Sequence, residues 1–493
     1  MSGAPARIRI REVSDVLRSA GLLTEERATG DVAVQGVSQD SRSTRPGDLF
    51  LAWAGSAADA HDFVADAMRH GAVATVVERP LEVRIPQLVV SDGRRAAALA
   101  ADVVMGSPSR ALRTLAVTGT NGKTTTAILI RHLMGPDVPT AVIGTLGLID
   151  RAGVRPGSEK LTTPGPVQVA VWLRELVDGG MSAVVFEASS HALAQHRLDA
   201  LRFEVVVFTN LSQDHLDYHA DLADYFAAKA RLVELTKKGG TVVVNRGDAA
   251  WDRLDPKGRA LRTYAVERAA DVSAHDVRLD ARGASFSLRV DGEERQVRTP
   301  LLGRYNVENA LAATAAALAA GISLDAVVER LGAVPQVSGR LEAVVTSPFT
   351  VLIDFAHTPA ALASALAAVK PLTRGRLIVL FGAGGDRDRA KRRPMAEAVA
   401  GIANLVVLTS DNPRTEDPER ILDDLATGLA GIEYERVADR RDAIEVALRA
   451  ARPGDTVVLA GKGHETYQVI GKEKRPFDER EIVAACLARL ERR

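Results

Sequence analysis

An α/β protein of three domains is what the sequence predicts, and three observations predict it. Short apolar runs alternate with helical stretches through most of the 493 residues, the pattern of parallel sheets with crossover helices. At about 150 residues per domain, the length suggests roughly three. Two breaks then divide the chain into pieces of ordinary domain size: a Gly-Ser-Pro-Ser stretch at 106–109, directly before a strand-like run, and Pro335 with Gly339 after a helical segment. The expected domains are 1–110, 111–337 and 338–493.

Composition narrows the function classes. Hydrophobic residues make up 46% and charged ones 26%, as in a globular chain able to bury several cores. Lys plus Arg and Asp plus Glu are both 63, so no basic field gathers nucleic acid. One cysteine, Cys486, excludes an intrachain disulfide and a thiolate-cluster metal site. The start, "MSGAPARIRIREVSD", lacks the apolar core of a signal peptide, and "ALAATAAALAAGISL" from Ala310 is too short and Ala-rich to span a bilayer. The expectation is a cytoplasmic monomer with no membrane span and no nucleic-acid partner.

In the middle domain, "TLAVTGTNGKTTTAILIRHLM" reads as strand, tight turn and helix. Gly119 and Gly122 let the backbone wrap close to phosphates at a helix N-terminus. Lys123 would supply charge to the outer phosphates of ATP, and the Thr124 hydroxyl would reach Mg²⁺. The match is to G-x-x-G-K-T, with Val117 where the longer loop wants glycine. Thr120, Asn121 and Thr125 complete the expected cradle. Glu187 in "AVVFEASSHALAQHRL", and Asn210, Asp214 and His215 in "VVVFTNLSQDHLDYH", follow two further apolar runs. Ligands of open α/β sheets sit outside the carboxyl ends of strands, so all three segments should converge on one rim. Glu187 and His215 would suit Mg²⁺ there; a solvated carboxylate and a hydrogen-bonded loop histidine are the bland alternatives. Zinc is set aside, because Leu216 stands where H-E-x-x-H needs Glu before His219. Lys229, in the amphipathic "DYFAAKARLVEL", reads on its residues alone as facing solvent. Asn306 and Asn309 share a helix face and suit an adenine edge, or simple capping.

In the last domain, "FTVLIDFAHTP", "RLIVLFGAGGDRDRAKR", "LVVLTSDNPR" and "DTVVLAGKGHETYQ" are apolar runs ending in polar loops. On one rim they would make neighbours of Arg387, Asp411, Arg414, Gly461 and Glu465. Guanidinium suits carboxylate, and carboxylate suits ammonium, so the expected ligand is a small zwitterion bound by a preset pair of opposite charges, Asp411 and Arg414. Arg389, Arg392 and Arg393 read as solvated. Aspartates interleaved among these arginines argue against a nucleic-acid patch.

The loop T-G-T-N-G-K-T resembles that of the Mur ligase family, which joins amino acids to a UDP-linked muramoyl precursor of bacterial cell wall; folylpolyglutamate synthetases share it. "DSRSTRPGDLF", "LTTPGP", "EASSHALAQHR", "FTNLSQDHLDYH", "GRYNVENALAA", "GGDRDR", "SDNPR" and "GKGHETYQ" extend the resemblance over about 35–470. They are similar to the family members that add the third residue of the peptide stem, and D-N-P-R is the pattern associated with meso-diaminopimelate. The resemblance implies a small N-terminal α/β domain binding the UDP substrate, a central P-loop ATPase-like domain and a C-terminal Rossmann-like domain binding the amino acid. It implies catalytic roles for Lys123, Glu187, His215 and Lys229, with Mg²⁺ on Thr124, Glu187, His215 and Lys229 as its carbamate. Arg340 and Asp354 join the ATP contacts. Ser41, Thr162, Thr163, Ser189, Gln195 and Arg197 would hold the UDP-muramoyl dipeptide; Asn412 and Pro413 join the diaminopimelate set. His357 would orient nucleotide or amine without acting as a base. Ser189 and His191 lack the surroundings of a hydrolase nucleophile. The alternatives are a lysine-adding or a folate-glutamylating ligase and, from a different class, a nucleotide-binding module without ligase activity.

Overall fold

The computed structural model describes residues 8–27, 30–55, 58–157, 161–216, 218–280 and 283–490. The chain packs as two compact units, Met1–Tyr264 with Ala312–Val327, and Ala265–Leu311 with Val328–Arg493.

The first unit holds two large sheets. The N-terminal one has five strands in the order Leu23–Arg27, Gln87–Val90, Ala74–Val77, Asp48–Leu51 and Gly36–Ser38, all but the first running parallel. The helix Gly93–Val104 packs against it through Ala96, Ala97, Ala100 and Ala101, small side chains that let helix and sheet approach closely. The second sheet runs Gly153–Arg155, Gly147–Asp150, Thr140–Gly144, Ala183–Glu187, Arg113–Thr118, Phe203–Phe208, Thr236–Asn245 and Ala260–Val266. From Thr140–Gly144 onward these strands are parallel. Leu115, Ala116, Val117, Val184, Val185, Phe186, Val205, Val206 and Val207 are fully buried, the unbroken apolar run of strands covered on both faces. Phe186 and Phe203 meet edge-on at 6.0 Å across this core; truncating either to Ala would cost about 3–5 kcal/mol. Register pairs Val117 with Glu187 and Thr118 with Phe208, so three strand ends stand side by side.

The second unit contains an antiparallel meander, Val272–Asp280, Gly283–Val290 and Glu293–Thr299. Its six-stranded sheet runs Glu342–Val345, Thr350–Asp354, Thr456–Ala460, Leu377–Phe381, Leu405–Leu408 and Tyr434–Arg436. All but the first are parallel. Leu352, Val379, Phe381, Val406, Leu408 and Val458 fill the core on one face; Val351, Ile353, Ile378, Leu380, Val407, Val457 and Leu459 fill it on the other. That alternation is the two-residue period of a strand buried on both sides. The four apolar runs of the last domain are therefore strands, with their polar loops on one rim. In this unit the reading of one arginine is corrected. Arg392 is not solvated: its side chain is 1% exposed, held by Glu416 at 2.9 Å and Asp424 at 2.8 Å, whereas Arg389 and Arg393 face solvent. Among the described residues no helix is long and apolar enough to cross a membrane.

Candidate active site

The phosphate-loop strand continues through Val117 to Thr118, so the chain turns late, which accounts for valine where a longer loop has glycine. Gly119 has φ 148°, and a Cβ there would strike the Thr209 hydroxyl. Gly122, at φ 83°, caps the helix Lys123–Met134. The neighbouring strand's loop braces the turn. Thr120 N–H donates to Asn210 O (2.7 Å), Asn121 N–H to Asn210 Oδ1 (2.9 Å), and the Thr209 hydroxyl to Asn121 O (2.7 Å). Asn210 is thus a strut of the cradle.

Lys123 Nζ donates to Gly119 O (2.9 Å) and Thr120 O (2.8 Å). Lys229 Nζ donates to the same Gly119 O (2.8 Å). Lys229 is 1% exposed and lies 4.4 Å over the Tyr225 ring, which corrects the solvent-facing reading. Burial, and then the charge of Lys123, hold its pKa well below the usual lysine value, with Asp214 opposing. A neutral lysine amine is the form that captures CO₂ as a carbamate.

Glu187 is buried at the end of its strand. It accepts from the hydroxyls of Thr124 (2.8 Å) and Thr145 (2.9 Å) and from Thr145 N–H (2.9 Å). Gly144 makes room, since a Cβ there would strike the carboxylate. Among the described residues no Lys, Arg or His lies within 4.0 Å ion-pair distance of Glu187. A buried carboxylate with only neutral donors, beside a threonine hydroxyl at the mouth of a phosphate loop, fits a hard oxygen-seeking cation such as Mg²⁺. His215 is half-exposed at φ 55°, edge-on to His191 at 4.8 Å. Among the described residues no three His, Cys, Asp or Glu side chains group to hold a metal.

The expected dipeptide residues form one network with Glu187. Thr163 Oγ1 donates to Glu187 O (2.6 Å) and meets Ser189 Oγ at 3.1 Å; Thr162 Oγ1 meets Thr145 Oγ1 at 3.3 Å. Arg197 donates to Thr163 O (2.7 Å) and Gln195 Oε1 (2.6 Å), and Gln195 donates to the Tyr218 hydroxyl (3.2 Å). Ser189 also caps its short helix through Ala192 N–H (3.2 Å). Ser41 lies in the N-terminal sheet region, its hydroxyl bonded to Asp66, whose carboxyl it holds below the usual range.

In the second unit, Asn306 Nδ2 donates to Leu302 O (2.8 Å), and Asn309 Nδ2 donates to Asn306 Oδ1 (3.0 Å). Arg340 lies 4.9 Å over the Phe355 ring, which meets His357 at 4.6 Å and His464 at 4.9 Å. Asp354 is buried and accepts from Leu341 N–H (2.7 Å) and Ala356 N–H (2.8 Å); burial still raises its pKa, against the nearby Arg340. His464 is pushed down to about 3 by burial and then by Arg340, Arg480 and His357.

Arg414, at φ 53°, donates to Gly385 O (2.7 Å), and Arg387 donates to Asp386 O (3.3 Å). Among the described residues neither guanidinium has a carboxylate within 4.0 Å ion-pair distance. Burial, and then Arg387, lower the pKa of Arg414, with Asp411 and Glu465 opposing. Asp411 is buried, and its cationic partner is Lys462 at 3.4 Å, so the preset pair with Arg414 is not a contact between the two. Gly461 lies against this carboxylate: a Cβ there would sit 3.7 Å from it. Asn412 Nδ2 donates to Glu465 Oε2 (2.9 Å). Sequence reasoning missed Lys462; the lysine inside "GKGHE" was its only mark.

Comparison with known proteins adds three matches along the chain. Residues 33–117 match the Mur ligase family catalytic domain, 117–317 the Mur ligase middle domain, and 339–463 the Mur ligase glutamate ligase domain. A UDP-N-acetylmuramoyl-L-alanyl-D-glutamate–2,6-diaminopimelate ligase of Gloeobacter violaceus is 41% identical over 96% of this chain and 98% of its own. The Geobacter sulfurreducens protein of the same name is 42% identical, over 97% of each chain. A solved structure of a ligase of that name superposes with TM-score 0.70 at 35% identity, covering 98% of this chain and 99% of that one.

Proposed function

The chain belongs to the Mur ligase family, and from that premise we propose how its residues carry out an ATP-dependent ligation. The protein adds meso-diaminopimelate to UDP-N-acetylmuramoyl-L-alanyl-D-glutamate in peptidoglycan precursor synthesis. In our reading residues 1–110 hold the UDP end, 111–337 the ATP and 338–493 the amino acid, in a cytoplasmic monomer.

The γ-carboxylate of the D-glutamyl residue attacks the γ-phosphorus of ATP, giving an acyl phosphate and ADP. The neutral amine of diaminopimelate then attacks the acyl carbon, phosphate leaves with the bonding pair, and the surplus amine proton passes to solvent. Lys123 and the N–H groups of residues 119–125 hold the phosphates and offset the charge that spreads over the transferred group. Thr163, Ser189 and Arg197 orient the dipeptide, Asn306, Asn309, Arg340 and Asp354 the nucleotide. Thr124, Glu187, His215 and the carbamate of Lys229 would hold Mg²⁺, which when bound neutralises phosphate charge. Carbamylation would turn the Lys229 amine into an anion, which Lys123 attracts, and would add a carboxylate to the groups that would hold the metal.

The choice of amino acid rests on one observation: among the described residues Arg387 and Arg414, on the same rim as Asp411 and Glu465, have no carboxylate within 4.0 Å. Diaminopimelate brings a distal carboxylate to Arg414; lysine would leave that guanidinium unpaired and costly to desolvate. The test mixes purified protein with ATP, Mg²⁺ and the UDP-muramoyl dipeptide, adds diaminopimelate or L-lysine in parallel, and reads product mass and ADP. Product with diaminopimelate alone is expected. Product with lysine would overturn the role of Arg414, and no product with either would overturn the ligase reading.

A further inference from the structure

We infer that Lys462 is a positioning residue for the amino-acid substrate, an inference that rests on the function proposed above. Lys462 is 0% exposed, so its ammonium does not reach a ligand. It lies among four oxygens: Tyr467 O at 2.9 Å, Asn412 Oδ1 at 3.1 Å, Glu465 Oε2 at 3.3 Å and Asp411 Oδ1 at 3.4 Å. Three of the four belong to loops on the rim assigned to the amino acid.

The contacts divide the labour within those loops. Asn412 spends its side chain mainly on these loops: Oδ1 accepts from Lys462 and from Val469 N–H (2.9 Å), and one N–H of Nδ2 donates to Glu465 Oε2 (2.9 Å). Asn412 is a brace. Glu465 Oε2 is pinned by both Asn412 and Lys462, while Oε1 keeps one neutral partner, the Tyr467 hydroxyl at 3.3 Å. Oε1 is then the oxygen aimed at a substrate ammonium. Asp411 is held from behind as well, Gln468 Nε2 donating to its backbone oxygen at 2.8 Å. Asp411 and Glu465 share one buried ammonium, so Lys462 offsets the repulsion between two carboxylates that must stand together for one ligand. Its removal frees Glu465 to swing away and leaves Asp411 a buried anion with its nearest cation gone.

A purely structural lysine would lower stability without choosing among substrates. The test is therefore steady-state kinetics on Lys462→Met and Lys462→Gln, with melting temperature alongside; Gln keeps a donor at the site without the charge. For Lys462→Met, KM for diaminopimelate should rise by about tenfold or more while KM for ATP and for the UDP-muramoyl dipeptide stays within about twofold. Lys462→Gln should give a smaller rise in the same KM. Folded variants with an unchanged KM for the amino acid, or with all three constants raised together, would overturn the inference. So would failure of both variants to fold, which would assign the lysine to the scaffold alone. Wild-type protein that turns over normally beside such variants leaves the ligase function standing; wild-type protein that forms no product sinks both.

Discussion

Two buried lysines, one in each unit, are equally hidden and differ in their company. Lys229 has a backbone carbonyl, an aromatic ring and a second lysine charge beside it, and burial drives it toward the neutral amine. Lys462 has two carboxylates and two neutral oxygens, and its charge is met on all sides. Removing a cation from water is costly in both places. Without an anion in contact, and with only Asp214 opposing, the lysine is driven toward its neutral amine; with two carboxylates in contact the other is a fixed strut. Burial alone therefore does not tell a reactive lysine from a structural one. The neighbours within about 4 Å decide it.

The comparison can be broken first at Lys123, which shares the Gly119 carbonyl with Lys229. Lys123→Ala should cut ADP release in the full reaction by about 10³-fold or more, because the charge on the transferred phosphoryl group loses its nearest protein cation. It should also raise the pKa of Lys229, since the Lys123 charge is one cause of its depression. Carbamate formation, read by ¹³C NMR in ¹³C-bicarbonate, should fall in that variant. Near-normal turnover would remove Lys123 from the chemistry.

The contrast sharpens at Arg414 in the other unit, a cation that has no carboxylate partner among the described residues. Arg414→Met should lower kcat/KM for diaminopimelate by about 10²-fold, the scale of truncating one member of a desolvated charge pair. The value for lysine should change far less, so the preference narrows. Equal losses for both amino acids would mean that Arg414 shapes its loop and does not read the distal carboxylate.

Much of this arrangement was legible in the sequence, and the rest was hidden for a physical reason. Runs such as "VVVF" and "LIVLF" declared buried parallel strands, and one rule about strand ends placed Glu187 and Asn210 beside the phosphate loop. What sequence did not carry was the partner of each charge. Arg392 reads like its neighbours Arg389 and Arg393, and only the fold shows Glu416 and Asp424 closing on it. Lys229 sits in an amphipathic helix where a lysine is expected outside, yet the helix turns it onto Gly119. Lys462 lies 50 residues from Asn412 and 51 from Asp411 in sequence, and nothing in "GKGHE" announces that the strand order makes them touch. Periodicity reports which face of an element is buried; pairing across 50 residues depends on topology.

The smallest effect expected is a shift in stability at Lys229. In CO₂-free buffer its folded pKa lies below the ordinary lysine value of 10.5. Between those two pKa values the unfolded chain binds a proton that the folded chain does not. Folding stability therefore rises with pH across that window, and the penalty is full below the folded pKa and gone above about 10.5. Lys229→Met has no such term. The variant should melt above wild type near neutral pH, and the gap should close as pH rises. Bicarbonate should narrow the gap at neutral pH from the other side, by consuming the neutral amine of the wild type alone, because the carbamate is bound only in the folded state. Lys462→Met should do the opposite and melt below wild type, having left Asp411 and Glu465 without their shared cation. If both lysines respond alike to pH and to bicarbonate, their surroundings do not set them apart, and the amine at 229 is not the reactive one.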